Sequence, residues 1–257
     1  MKNNYIKATL LSSTLLFGSV AQAALVDLST WESNGQGTWT VQSGNDSVIQ
    51  TFNGVPGVFF ENGNNARGTA ISGEITVKTT SDDDFIGFVL GYQNNELHSA
   101  SADYWLIDWK QNDQTYPGLG SSLDGLSLSH VVDGSAESSF WAHTAGAVNE
   151  VARANNLGST GWVDNTTYSF DIVHTPSLIQ VKVDGVVELS VSNIDAGVAE
   201  FSDGAYGFYN YSQLNVEYAG ITDRVIVQPP IPSVPEPSTL AIFALGFAGL
   251  LTRKLTK

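Results

Sequence analysis

Apolar and polar residues alternate along most of this chain in short runs of period two, and runs at helical spacing are almost absent between residues 24 and 228. A period of two sends successive side chains to opposite faces of a strand. β-Branched and aromatic runs divided by Gly, Asn, Asp and Ser predict strands at Val48–Phe52, Gly57–Glu61, Ala70–Lys78, Phe85–Tyr92, Asp103–Lys110, Leu126–Val132, Thr167–Val173, Leu178–Val183, Val186–Val191, Ala205–Tyr211 and Leu214–Tyr218. Many short strands at this spacing predict an all-β sandwich or jelly roll. The sharpest local signal is Asp184-Gly185 between two alternating runs, which supplies the positive φ angles of a type I′ hairpin turn. In Asp103–Lys110, Trp105, Ile107 and Trp109 alternate with Tyr104, Leu106, Asp108 and Lys110. The first set is expected in the core, and the second to face outward or line a concave surface. Segment 134–165 is weakly patterned, with a short helix expected near Ala145–Ala154.

The two ends are different. Lys2 and Lys7 precede an apolar run from Ala8 to Val20, and Ala21-Gln22-Ala23 follows. A basic head, a short apolar middle and small residues two apart describe a secretory signal peptide, residues 1–23, with Ala21 and Ala23 at the cleavage site. Export through the inner membrane of a Gram-negative bacterium is the expectation, with signal peptidase as the first partner. At the other end, Pro229, Pro230, Pro232, Pro235 and Pro237 keep segment 229–237 extended as a stalk. An apolar stretch, 238–252, comes next, and Arg253, Lys254 and Lys257 make 253–257 a basic cytoplasmic tail. The fourteen residues Ser238–Leu251 span roughly 21 Å as a helix, short of a hydrocarbon core of about 30 Å, so this transmembrane helix is marginal. Pro235-Glu236-Pro237, a short apolar helix and a terminal basic cluster closely resemble the PEP-CTERM sorting signal. The resemblance implies transient anchoring in the membrane, recognition by an exosortase-type transpeptidase that cuts near Pro-Glu-Pro, and a final place at the cell surface or outside it.

Composition narrows the partners of the middle, residues 24–228. Removing residues 1–23 and 238–257 takes away five of the 11 Lys and Arg and none of the 26 Asp and Glu, leaving a net charge of about −20 on 24–237. Such a chain repels phosphate, which argues against nucleic acid and favours cations. There is no cysteine, so thiol catalysis, disulfides and Cys-ligated metals are excluded. His98, His130, His143 and His174 show no metal-ligand spacing and read as surface or core residues.

The run Asp82-Asp83-Asp84-Phe85-Ile86-Gly87-Phe88-Val89-Leu90-Gly91-Tyr92-Gln93, then Tyr104-Trp105-Leu106-Ile107-Asp108-Trp109-Lys110-Gln111, resembles the thrombospondin C-terminal domain. Trp141-Ala142-His143-Thr144, Gly161-Trp162, and Gly207-Phe208 with Tyr211-Ser212-Gln213 follow in the order of that family. Together they span Val48 to Tyr218, although loop Asn94–Ala102 is longer than in animal members. The resemblance implies a concanavalin-like, L-type-lectin-like sandwich, calcium binding, association with the cell surface or matrix, and no catalysis.

Calcium takes six to eight oxygens, mostly carboxylates and carbonyls. Asp82, Asp83 and Asp84 are therefore the first metal candidates and Asp103 a weaker one, expected to join them through strand pairing. The triplet equally suits a polar turn that keeps a sheet end soluble. Asp108 and Lys110, inside an apolar strand, are ligand-binding candidates if their face is open, and otherwise pair across the strand. The expected function is a calcium-binding, non-catalytic surface or matrix protein that adheres or binds carbohydrate. The alternatives are a glycoside hydrolase on the same fold or a purely structural matrix component. Retaining hydrolysis needs two carboxyls about 5–5.5 Å apart, and no strand carries such a pair.

Overall fold

All eleven period-two segments form strands in the computed structural model, which describes residues 23–226. Their bounds agree with the pattern to within two residues, except that the last strand continues to Val225. The body of the signal peptide, the stalk, Pro235-Glu236-Pro237, the sorting helix and the basic tail lie outside the described residues.

In chain order the strands are β1 (Ala24–Leu25), β2 (Glu32–Gly35), β3 (Trp39–Val41), β4 (Val48–Gln50), β5 (Gly57–Phe60), β6 (Thr69–Val77), β7 (Phe85–Tyr92), β8 (Tyr104–Lys110), β9 (Gln114–Tyr116), β10 (Gly120–Ser122) and β11 (Gly125–Val131). Helix α1 (Glu137–Ala142) precedes β12 (Val148–Arg153), β13 (Thr167–His174), β14 (Leu178–Val183), β15 (Val186–Ser192), β16 (Ala205–Tyr211) and β17 (Val216–Val225). One sheet runs β15-β14-β13-β6-β17-β4-β3, with β1 also on β17. The other runs β12-β11-β8-β7-β16-β5-β2, and β9–β10 is a separate hairpin. Every pairing is antiparallel, and β14–β15 turns at Asp184 and Gly185, with φ of 48° and 78°, as the dipeptide predicts.

Between the sheets lies the main core, which takes Trp105, Ile107 and Trp109 from β8 together with Phe88, Phe170 and Ile172. The opposite face of the second sheet departs from expectation. Tyr104 and Leu106 pack there with Phe60, Tyr92, Phe140, Trp141 and Tyr209 in a second apolar layer. Residues after β8 fold back across the sheet as the hairpin and α1, so β8 is buried on both sides and this face is not an open concave surface. Segment 134–165 also differs from its prediction. Its helix lies earlier, at Glu137–Ala142, and 148–153 pairs with β11 as an edge strand. A helix of six residues has too few turns to show a period of 3.6.

Candidate functional site

Asp82, Asp83 and Asp84 end the loop that enters β7, and each offers a carboxylate oxygen within 4.8 Å of the others. Asp84 is buried because Phe85, the next residue, starts a fully buried strand. Its Oδ1 accepts a hydrogen bond from Lys110 Nζ at 2.7 Å. Lys110 pairs with Phe85 in the β7–β8 register, which sets the two side chains together. The ammonium also donates to the Asp83 carbonyl at 3.2 Å and Gln114 Oε1 at 3.0 Å, using all three N–H groups. It sits 5.0 Å from the Phe85 ring centroid and 4.7 Å from that of Trp141, so cation–π attraction adds to the pair.

The backbone of Asp84 is held as tightly. Its N–H donates to Gln213 Oε1 at 2.9 Å, and its carbonyl accepts from Trp162 Nε1 at 3.1 Å. Gln111 N–H donates to the Asp83 carbonyl at 3.2 Å. The motifs that stand apart in the sequence therefore meet at one corner. Lys110-Gln111, Trp141, Trp162 and Gln213 all converge on the aspartate triplet. Gly161 is required there by close approach, since a Cβ would lie 1.8 Å from the Gln111 carbonyl oxygen.

Asp82 and Asp83 remain half-buried beside an open polar hollow of roughly 450 Å³ lined by Thr80, Ser81, Gln111 and Asn112. Asp82 also accepts a hydrogen bond from Asn53. Burial, then the charge of Asp84, pushes the Asp82 carboxyl up to about 6. The donor set is oxygen only, the ligand type that a hard divalent cation takes. Asp82 and Asp83 would supply the free charge, because Lys110 already neutralises Asp84.

Asp103 does not join them. The antiparallel register places Tyr104 and Lys110 at opposite ends of β8, so Asp103 and the triplet are roughly 20 Å apart at about 3.4 Å per residue. Asp103, with a side chain 65% exposed, instead accepts from His130 Nε2 at 2.8 Å and from Ser202 Oγ at 2.9 Å.

Asp108 and Lys110 share the expected face, but they are buried and spend their charges on the protein. Asp108 Oδ1 accepts from Ser127 Oγ at 2.8 Å, and its Oδ2 lies 2.9 Å from His143 Nε2. The other ring nitrogen of His143 is 3.3 Å from Glu150 Oε2. Arg153 clamps Glu150 with Nε at 3.0 Å and Nη2 at 2.9 Å. Burial alone would lower the His143 pKa, but Asp108 and Glu150 together outweigh it and raise it to about 10. The His143 hydrogen bond, against burial and with help from Arg153, holds Glu150 at about 2. Both ring nitrogens of His143 are thus engaged with carboxylates, Asp108 on one side and Glu150 on the other. His143 stands in the Trp141-Ala142-His143-Thr144 landmark without an assigned role, and Glu150 and Arg153 carry no sequence pattern. The signal for them was Asp108 itself, a carboxylate in an apolar strand that needs a partner.

Two stacked antiparallel sheets with this topology define a lectin-like β-sandwich. Among solved structures it resembles the carbohydrate binding module CBM66 from Bacillus subtilis, with a TM-score of 0.53, 10% identity and coverage of 76% of this chain and 95% of that one. It also resembles the VIP36 exoplasmic/lumenal domain in its Ca2+/Man3GlcNAc-bound form, with a TM-score of 0.51, 14% identity and coverage of 86% and 95%. At that identity the likeness is one of fold alone.

Residues 34–225 match the thrombospondin C-terminal region, and the chain belongs to that family. Thrombospondin-3b of Danio rerio and cartilage oligomeric matrix protein of Rattus norvegicus are each 28% identical over 200 residues, 72% of this chain. The chain spans only 20% and 25% of their lengths. Residues 233–254 match the PEP-CTERM protein-sorting motif, which marks the chain for exosortase processing at a bacterial cell surface.

Proposed function

We propose that the protein is a non-catalytic, calcium-binding component of the surface or extracellular matrix of a Gram-negative bacterium, serving adhesion or polysaccharide binding. It would be exported by its signal peptide, held briefly in the inner membrane by 238–252, and handed over when the exosortase cuts near Pro235-Glu236-Pro237. The observation that carries the reading is the convergence of the family's dispersed motifs on Asp84. It anchors Asp84, and Asp82 and Asp83 next to it offer carboxylate oxygens beside an open polar hollow. A cation there would relieve the like-charge repulsion and stiffen the loop entering β7. The membership in a family that includes matrix proteins supports the setting.

The test is a thermal melt of residues 24–228 in millimolar calcium and again in chelator. The reading expects a melting temperature several degrees higher in calcium. An identical melt in both would leave the triplet as a solvated turn.

A further inference from the structure

A cleft of roughly 420 Å³ separates the end of the β9–β10 hairpin from the Glu150–Arg153 pair, with Trp141 and His143 at its base. None of the three aspartates lines it, although Phe85 and Trp141 do, and its size falls within the usual range of small-ligand sites, about 300–1,000 Å³. Its charges cancel. Two cations, His143 and Arg153, meet two anions, Asp108 and Glu150, in one connected cluster. On a domain with a large acidic surplus this cleft is locally neutral, so it neither attracts nor repels an ionic ligand strongly.

What is left is mixed hydrogen-bonding capacity in a fixed frame. Arg153 gives Nε and one Nη2 proton to Glu150 and both Nη1 protons to the carbonyls of Asp124 and Gly158, which leaves one Nη2 proton free. Glu150 keeps an acceptor site, and the Ser121 hydroxyl is engaged only with the hydroxyl of Thr115. A donor and acceptors held side by side match the adjacent hydroxyls of a sugar ring, each of which both donates and accepts. Leu123, 58% exposed at the rim, offers apolar surface to the C–H face of such a ring.

We propose that this cleft, between Ser121–Leu123 and the Glu150–Arg153 pair, binds a neutral saccharide. This deepens the polysaccharide-binding reading and rests on it, while being independent of calcium at the triplet. The test is an array of neutral, amino and acidic oligosaccharides probed with the mature protein in calcium buffer. Wild type is compared with Ser121→Trp, which fills the cleft from an exposed position, and with Glu150→Gln, which leaves it with one net positive charge.

The expected result is signal on neutral oligosaccharides that falls at least tenfold in Ser121→Trp at unchanged melting temperature. In Glu150→Gln the signal should move toward acidic oligosaccharides. A blank array, a signal confined to acidic or amino sugars in the wild type, or a signal unchanged by Ser121→Trp overturns the proposal. A blank array would remove the polysaccharide-binding reading and this inference with it, whereas binding unchanged in Ser121→Trp would remove this inference alone. A calcium-independent melt with cleft-dependent binding would remove the metal site alone.

Discussion

At the scale of single residues, the two charged clusters make opposite predictions. Lys110 is fully buried with Asp84 as its carboxylate, so Asp84→Asn leaves a buried cation without its counter-charge. The loss should be about 3–5 kcal/mol by urea unfolding, in calcium and in chelator alike. Asp82→Asn with Asp83→Asn should instead lower the melting temperature only in calcium, and an equal loss in chelator would contradict the metal site. His143 supplies a pH test. Its pKa is raised from 6.5 to about 10, with Asp108 of β8 and Glu150 of β12 facing it and the Phe85 ring of β7 alongside. The stabilisation is complete below pH 6.5 and is lost as pH rises through about 10. Urea melts at pH 6, 8 and 10 should show that decline in the wild type and a flatter one in His143→Gln. An equal slope in both would assign the decline to other groups. The triplet was legible in the sequence because its three acids are adjacent. Asp103 was grouped with it wrongly, since adjacency to a strand does not say which end of that strand meets which neighbour. The link from Asp108 to His143, Glu150 and Arg153 was hidden because 35 to 45 residues separate them from it.

At the scale of elements, the long alternating strands were readable and the covering layer was not. β1, β2, β3, β9 and β10 have two to four residues each, too few to carry a period. β17 loses its alternation at Gly220, where φ is 61° and the register with β6 shifts between Ala219 and Thr222. The hairpin and α1 matter because they convert a sheet face into a second core. Phe140 is fully buried within it, so Phe140→Ala should cost about 3–5 kcal/mol by urea unfolding. A loss below about 1 kcal/mol would mean the layer is loosely seated. Gly161→Ala should cost about 1–3 kcal/mol, since the added carbon meets a backbone carbonyl and pushes Trp162 off Asp84.

At the scale of the whole molecule, β17 links the two ends of the domain. It begins three residues after Gln213, which holds Asp84, and ends at Val225, beside the N-terminal strand β1. Ten residues at about 3.3 Å each put roughly 30 Å between the aspartate corner and the far end of this strand. Five of the six Lys and Arg in the described residues are in ion pairs, so the remaining surface is dominated by unpaired acids. Replacing Pro235, Glu236 and Pro237 by Ala should leave uncut protein in the inner membrane, read as an unprocessed mass in that fraction. Release of the normal mature form would refute the sorting role. The sequence alone determined the all-β class, the positions of eleven strands, the Asp184-Gly185 turn, the aspartate triplet and the family. Each of these is written in local periodicity, backbone preference or contiguous residues. Only the tertiary structure decided that β8 is buried on both faces, that Lys110 belongs to Asp84, and that Asp108, His143, Glu150 and Arg153 form one neutral cluster. These depend on strand direction, on register, and on a fold-back of the chain over its own sheet, and none of the three leaves a periodic trace in the order of residues.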